Sequence, residues 1–441
     1  MKVFVQLCVL FVLIASNGAD VTADGGDFIF LSAGDDLVQF WSLNGEGHII
    51  SVGGLPAAFG LDDEVSPDWL VRDQGAFQVN AEKTLIAFTA YQSTSDTYAL
   101  FLYRVADGYL SDPVRVPFWG SISWAPNGQS LRLLLRPRQR DQDNIETFAQ
   151  LAPEQQWFLF DVDEQQTGLI PVPVATEQAG GIWLPDSSGF FMLSDNNIYI
   201  VNRDYSAGHR LNNPPLEELG PWHASCGVVW WPSTQKFYQF YNSCESRELQ
   251  LYSVDLDGNS NQEIVFLEQL YDIVTIDMVD INVRQHSLYI GMGLMESYDE
   301  YSSGASIVVF QLSATGNTER VFYRPNTSIN IRQIELSPDE KYMTILGSHL
   351  GPDYETLVVE IIDLETQETL AVLSDVAGEA DVCDARWLGN DTIFYQLGDE
   401  YCNDPELAEI NSTFIYHVTT DISQKLNVPG NIWVVSHENN N

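Results

Sequence analysis

The feature that most constrains this chain is a short pattern that recurs about every fifty residues. Each copy reads as an apolar strand, a turn rich in Pro, Asn, Asp and Gly, and a second apolar strand. The clearest copies are ISWAPNGQSLRLLL (122–135), GIWLPDSSGFFML (181–193), VVWWPSTQKFYQF (228–240) and IELSPDEKYMTIL (334–346). Weaker copies stand at 77–89, 280–291 and 385–397, and the segment 431–437 matches only the first half. A fixed internal period indicates a repeat architecture in which neighbouring units complete one another's core.

One apolar residue anchors each copy, and the anchors are Val79, Trp124, Trp183, Trp230, Ile281, Leu336, Trp387 and Trp433. Their successive spacings are 45, 59, 47, 51, 55, 51 and 46 residues. Between the anchors lie further strand pairs, for example in 98–108, 249–259 and 357–367. Four strands in about fifty residues is the size of a β-propeller blade. The sequence therefore predicts an all-β fold with a single β-propeller over residues 19–441.

The two ends of the chain predict how the propeller closes. Residues 28–32, 37–43 and 48–52 supply three strands without an anchor strand, and 431–437 supplies an anchor strand without the other three. Together they complete one blade, which gives eight four-stranded blades and removes exposed sheet edges. Seven blades is the alternative if the weak copy around Ile281 is not a blade.

The segments APNGQS (125–130), LPDSSG (184–189) and SPDEKY (337–342) resemble the repeats of TolB-like and WD-like β-propeller proteins. The resemblance covers residues of about 27–437, but the chain has no counterpart of the N-terminal α/β domain of TolB. It implies the fold and leaves the function open, because propellers host many unrelated activities.

The first eighteen residues read as a signal peptide. Lys2 precedes an unbroken apolar run at 3–15, which is too short to span a membrane, and Ser16 and Gly18 are small residues at a cleavage site. The remaining chain has no apolar segment long enough for a membrane span. We expect a secreted or periplasmic protein.

The net charge of the chain limits the classes of binding partner. The chain has 62 Asp and Glu residues against 20 Lys and Arg, a net charge of −42. Such a field repels nucleic acid and anionic membranes. We expect a protein, peptide or carbohydrate partner and a monomer.

Removing the signal peptide, which contains Cys8, leaves four cysteines. Cys226 and Cys383 each stand four residues before an anchor Trp, and Cys244 and Cys402 each follow the next strand. In an oxidising compartment this parallel placement predicts the disulfides Cys226–Cys244 and Cys383–Cys402.

Long insertions fall in the connections that would converge on one face of the propeller: 54–75, 136–156, 213–225, 291–304, 347–356 and 397–411. Loops on a rigid scaffold commonly carry function. The candidate ligand-binding residues in these loops are Trp222, His223, Tyr298, Asp299, Tyr301, Asp353, Asp399 and Glu400. The alternative interpretation is that the aromatic residues only pack on neighbouring blades.

These loops predict an exported recognition or scaffold module, and no catalytic residue is assigned. No nucleophile elbow, P-loop, dinucleotide fingerprint or zinc motif occurs. The alternative is a propeller enzyme of glycoside hydrolase or lyase type, with carboxylates from different blades in the central channel. No cofactor is predicted; the loop carboxylates could at most bind Ca²⁺. Sequons begin at Asn326, Asn390 and Asn411, and their glycosylation depends on the source organism.

Overall fold

The fold is described from a computed structural model of the chain. The described residues are 28–33, 37–43, 49–56, 58–59, 69–71, 77–92, 97–116, 120–135, 157–162, 166–169, 181–194, 197–203, 208–210, 223–243, 248–257, 260–266, 275–283, 287–295, 305–316, 318–327, 329–350, 355–374, 381–398, 412–426 and 431–435. Every regular element in this part of the chain is a β-strand, and the strands form small antiparallel sheets. The all-β prediction is therefore confirmed, and the arrangement is that of β-propeller blades.

Four sheets are built from the N-terminal half together with the last strand. Sheet 1 has the order β3-β2-β1-β35: β1 (Phe28–Ala33), β2 (Leu37–Leu43), β3 (Ile49–Pro56) and β35 (Asn431–Val435). Sheet 2 contains β4 (Ala58–Phe59), β5 (Trp69–Leu70), β6 (Gln78–Val79), β7 (Leu85–Gln92), β8 (Thr97–Arg104), β9 (Tyr109–Leu110) and β10 (Val114–Val116). Sheet 3 contains β11 (Gly120–Trp124), β12 (Ser130–Leu135), β13 (Trp157–Asp161) and β14 (Gln166–Leu169). Sheet 4 contains β15 (Gly181–Trp183), β16 (Gly189–Ser194), β17 (Asn197–Asn202) and β18 (Gly208–Arg210).

The other four sheets run in chain order, each as a four-stranded meander. Sheet 5 contains β19 (His223–Trp231), β20 (Lys236–Ser243), β21 (Glu248–Asp255) and β22 (Ser260–Phe266). Sheet 6 contains β23 (Thr275–Val283), β24 (Ser287–Met295), β25 (Ala305–Ser313) and β26 (Thr318–Thr327). Sheet 7 contains β27 (Ile329–Leu336), β28 (Tyr342–Leu350), β29 (Glu355–Asp363) and β30 (Thr369–Leu373). Sheet 8 contains β31 (Asp381–Trp387), β32 (Thr392–Gly398), β33 (Ser412–His417) and β34 (Ile422–Lys425).

The chain divides into two compact units, one containing sheets 1–4 and the other sheets 5–8. Within each unit, consecutive sheets pack face to face through apolar side chains. In the first unit, Phe40 of sheet 1 and Phe88 of sheet 2 share one buried cluster. In the second, Ile307 of sheet 6 joins Ile345 of sheet 7, and Val359 of sheet 7 joins Trp387 of sheet 8. Burying both faces explains why the strands are so uniformly apolar.

One end of each sheet is closed by tight turns, and we call it the turn end. In the turns 80–84, 125–129, 184–188 and 337–341, the first residue's N–H donates to the carbonyl of the residue after the turn. The fourth residue has a left-handed backbone in all four: Lys83 (φ 57°), Gly128 (φ 67°), Ser187 (φ 62°) and Glu340 (φ 61°). The recurring Pro, Asn, Asp and Gly of the sequence pattern is thus the chemistry of one turn, used repeatedly.

Anchor tryptophans also link one sheet to the preceding one. The indole N–H of Trp124 donates to the Gln78 carbonyl (3.0 Å), and that of Trp183 donates to the Ser123 carbonyl (3.2 Å). Trp387 repeats the bond to Glu335 at 3.4 Å. Each acceptor lies one residue before the anchor of the preceding repeat. An anchor tryptophan therefore contributes both a buried ring and a hydrogen bond to the neighbouring sheet.

Some details differ from the sequence analysis. The predicted loop 54–75 contributes β4 and β5 to sheet 2, because Trp69 is buried and packs edge-on against Phe101 at 5.2 Å. That segment is therefore partly core. The signal peptide and the insertion 136–156 lie outside the described residues. None of the described segments is a helix with the length and apolar content needed to cross a membrane.

Candidate functional site

The end of the sheets opposite the turn end, which we call the loop end, carries the longer connections. They join second to third strands and fourth strands to the next first strand, as at 136–156, 211–222 and 399–411. The turn end has only short connections of the kind seen at 125–129 and 364–368. The order of the strands thus assigns the longer insertions to connections at the loop end, and the binding role expected of them stays a prediction.

Along the chain, the predicted ligand-binding residues fall in or beside these connections. His223 is the first residue of β19 and pairs with Ser243, and only its backbone is described. The remaining candidates lie outside the described residues: Trp222, Tyr298, Asp299, Tyr301, Asp353, Asp399 and Glu400. Their binding roles stay predictions, as does the hypothesis that the carboxylates of Asp353, Asp399 and Glu400 help to bind Ca²⁺.

A β-bulge recurs in the first strand of each of sheets 5–8. The register shifts around one residue that lies four positions before the anchor, and these residues are Cys226, Asp277, Arg332 and Cys383. A bulge leaves one residue unpaired in the ladder and re-aims its side chain. All four bulges therefore share one position in the repeat, four residues before the anchor.

Two of the bulge residues are cysteines with predicted disulfide partners. Cys383 is disulfide-bonded, while Cys402, its predicted partner, lies outside the described residues. For Cys226 only the backbone is described, and Cys244 lies outside the described residues. The pairings Cys226–Cys244 and Cys383–Cys402 therefore stay predictions.

Arg332, the bulge residue of β27, has an exposed side chain. Its strand, β27, lies against β23 on one side and β31 on the other, and the nearby Ile331 and Ile334 are buried. Other arginines of the described sheets form ion pairs: Arg104 with Asp107, Arg203 with Asp161, Arg324 with Glu360 and Arg386 with Asp384. No carboxylate in the described part of the chain pairs with Arg332.

Further polar groups lie beside this bulge, where sheets 7 and 8 meet. Ser348 pairs across β28 and β29 with Leu357, and the Leu357 N–H donates to the Asp381 carboxylate at 2.9 Å. The Ser348 side chain is fully buried, and its hydroxyl has no hydrogen-bond partner among the described residues. We call Arg332, Ser348, Asp381 and Cys383, which stand on neighbouring strands of sheets 7 and 8, the seam cluster.

The seam cluster combines a cation, an anion and a hydroxyl in one neighbourhood. A guanidinium presents a planar fork of donors that matches a carboxylate, whereas a carboxylate accepts from hydroxyl or amide groups. The exposed guanidinium of Arg332 is therefore available to a carboxylate ligand, whereas the Ser348 hydroxyl is fully buried. Among the described residues, no group of three His, Cys, Asp or Glu side chains is arranged to hold a metal ion.

By contrast, two clear pKa shifts belong to the turn end. Burial raises the pKa of Asp339, but hydrogen bonds from Lys341 and Ser337 outweigh that effect and leave it below its ordinary value. Burial and a hydrogen bond to Asp421 raise the pKa of Tyr416 to about 12. Both groups hold tight turns, so their shifted pKa values reflect structural hydrogen bonds.

Sequence reasoning did not single out Arg332, Ser348 or Asp381. A signal for Arg332 was present: it stands four residues before an anchor, as the two cysteines do. Asp381 and Ser348 have no such signal, because their proximity arises from the pairing of β28 with β29 and from the contact between sheets.

No protein-family model matches the chain, and no curated protein matches it in sequence. Solved structures match it in fold. Dipeptidyl peptidase 4 from Porphyromonas gingivalis is 8% identical with a TM-score of 0.55, over 92% of this chain and 58% of the other. The dihydro-heme d1 dehydrogenase NirN, solved in complex with DHE, is 13% identical with a TM-score of 0.53, over 94% and 76%.

A eukaryotic initiation factor is also 13% identical with a TM-score of 0.53, over 93% of this chain and 99% of the other. Further matches with TM-scores below 0.5 include prolyl oligopeptidases and an oligogalacturonate lyase. At these identities the similarity shows the fold alone.

Proposed function

We propose that this protein is an exported β-propeller recognition module that binds a protein, peptide or carbohydrate partner through its loop end. In this proposal the eight sheets are eight blades, and the pairing of β35 with β1 closes the propeller. The protein acts as a monomer in a secreted or periplasmic compartment. The single observation that supports the proposal best is the contrast between the two ends of the sheets.

The contrast supports binding for a physical reason. In four sheets the turn end repeats the same hydrogen-bonded turn, with a left-handed residue at its fourth position. At the loop end, sheets 5–8 have a bulge in their first strand, and the longer connections between strands fall at that end. Variable polar loops on a rigid scaffold are the usual arrangement of a binding surface.

The test is a screen followed by matched variants. The mature protein is applied to peptide and glycan arrays, and the affinity of any ligand is measured by titration calorimetry. Tyr298→Ala and Trp222→Ala, in predicted loop-end segments, should weaken binding at least tenfold. Pro338→Ala, at an exposed position of the turn end, should leave the affinity unchanged. Ligand binding that is lost in the turn-end variant and kept in both loop variants would contradict the proposal.

The second candidate is a propeller enzyme that uses loop-end carboxylates. It is favoured by the fold likeness to a dipeptidyl peptidase and a dehydrogenase, although neither likeness extends to residues. Incubating each bound ligand with the protein and analysing it by mass spectrometry separates the two. Turnover that Asp299→Asn or Asp399→Asn abolishes would favour the enzyme, and an unchanged ligand would favour recognition.

A further inference from the structure

The seam cluster contains a cation that the fold does not use. Arg332 occupies a bulge in β27, its side chain is exposed, and the part of the chain described here offers it no ion-pair partner. The chain has about three acidic residues for each basic one, yet Arg332 has no carboxylate partner among the described residues. The other bulge with a described side chain, Cys383, is committed to a disulfide.

We propose that Arg332 recognises a carboxylate group of the ligand, an inference that rests on the proposed function. A bulge re-aims a side chain out of the regular ladder, and a guanidinium binds a carboxylate through two parallel hydrogen bonds. Asp381 forms no ion pair with Arg332; its carboxylate accepts the Leu357 N–H at 2.9 Å.

The net charge of −42 does not prevent this interaction. Long-range repulsion of an anion is screened beyond about 8 Å at physiological ionic strength, whereas the guanidinium contact is direct. The general negative field does make the site selective, because an anion gains binding only where a cation touches it.

Two sources of carboxylate fit this chemistry, an acidic peptide and an acidic sugar. The probes are a tetraglutamate peptide with blocked ends and an oligosaccharide of four uronic acid residues. Their methyl-esterified forms are the neutral controls. Titration calorimetry with the mature protein measures the affinity for each of the four.

We expect one acidic probe to bind and its ester to bind at least tenfold more weakly. Arg332→Gln should weaken binding of that acidic probe about ten- to a hundredfold, as expected for loss of a charged hydrogen-bonding partner. Arg332→Lys should fall between the two, because it keeps the charge and loses the fork. Arg115→Gln is the matched control, since Arg115 is an exposed arginine on β10, and it should bind as the unsubstituted protein does.

The inference is overturned if neither acidic probe binds, if the esters bind as well as the acids, or if Arg332→Gln changes nothing. Its failure is distinguishable from failure of the proposed function. A neutral array ligand that depends on Tyr298 but not on Arg332 would keep the recognition role and reject the carboxylate site. Near-ultraviolet circular dichroism of each variant confirms that the fold is intact.

Discussion

The turn end and the loop end of the sheets obey different rules. The turn end repeats one turn in four sheets, three in one unit and one in the other: a left-handed residue follows the anchor by four positions at Lys83, Gly128, Ser187 and Glu340. At the loop end, first-strand bulges occur in each of sheets 5–8, whereas β11 of sheet 3 pairs with β12 without a shift. The comparison teaches that the repeat sets a common turn in sheets of both units, whereas the bulge at the other end is a feature of sheets 5–8 that sheet 3 lacks.

The strongest test of this division is at an anchor. Trp183 is 1% exposed, its ring centroid is 4.2 Å from that of Phe190, and its indole N–H donates to Ser123. Trp183→Ala should lower the free energy of unfolding by about 3–5 kcal/mol, measured by urea denaturation. Trp183→Phe, which keeps an aromatic ring and loses the N–H donor, should cost clearly less. Equal losses for the two variants would show that the ring contributes nothing beyond its hydrogen bond.

The second test asks whether the loop end also contributes to stability. Cys383 is disulfide-bonded, and with Cys402 it would close a loop of about twenty residues. Cys383→Ser should therefore cost about 3 kcal/mol in the chain-entropy model, and reducing the unsubstituted protein should cost at least as much. Peptide mapping without reduction that joins Cys383 to Cys226 would contradict the predicted pairing and the alignment of the repeats.

The third test concerns the repeated turn. Gly128 has φ +67°, and an added Cβ would lie 3.3 Å from the Asn80 side-chain nitrogen. Gly128→Ala should cost about 1–2 kcal/mol, because a left-handed backbone is unfavourable for a residue with a Cβ. Gly389→Ala is the control, since its added Cβ meets open space, and it should change stability by less than about 0.5 kcal/mol. Two equal losses would mean that the left-handed conformation is not the cause.

The difference between the ends also explains what the sequence could predict. Anchors such as Trp124 and turns such as 125–129 can be read directly, because their residue types follow from a local hydrogen-bond pattern. The strand content was therefore predictable. The predicted loop 54–75 failed at Trp69, whose burial depends on Phe101 in another strand. Asp381 and Ser348 could not be predicted for the same reason. Leu357, which pairs with Ser348, donates to Asp381 only once the two sheets have packed together.

The smallest change in stability is expected at Arg332, and it tests most directly whether the loop end is part of the scaffold. Arg332 is exposed and forms no ion pair within the described residues, so the fold gains little from its charge. Arg332→Gln should change the free energy of unfolding by less than about 0.5 kcal/mol, measured by urea denaturation. Arg324→Gln is the contrasting variant, because it leaves the buried Glu360 without its ion-pair partner and should cost several times more. A loss above 1 kcal/mol for Arg332→Gln would make this residue part of the scaffold, and the loop end would then be as constrained as the turn end.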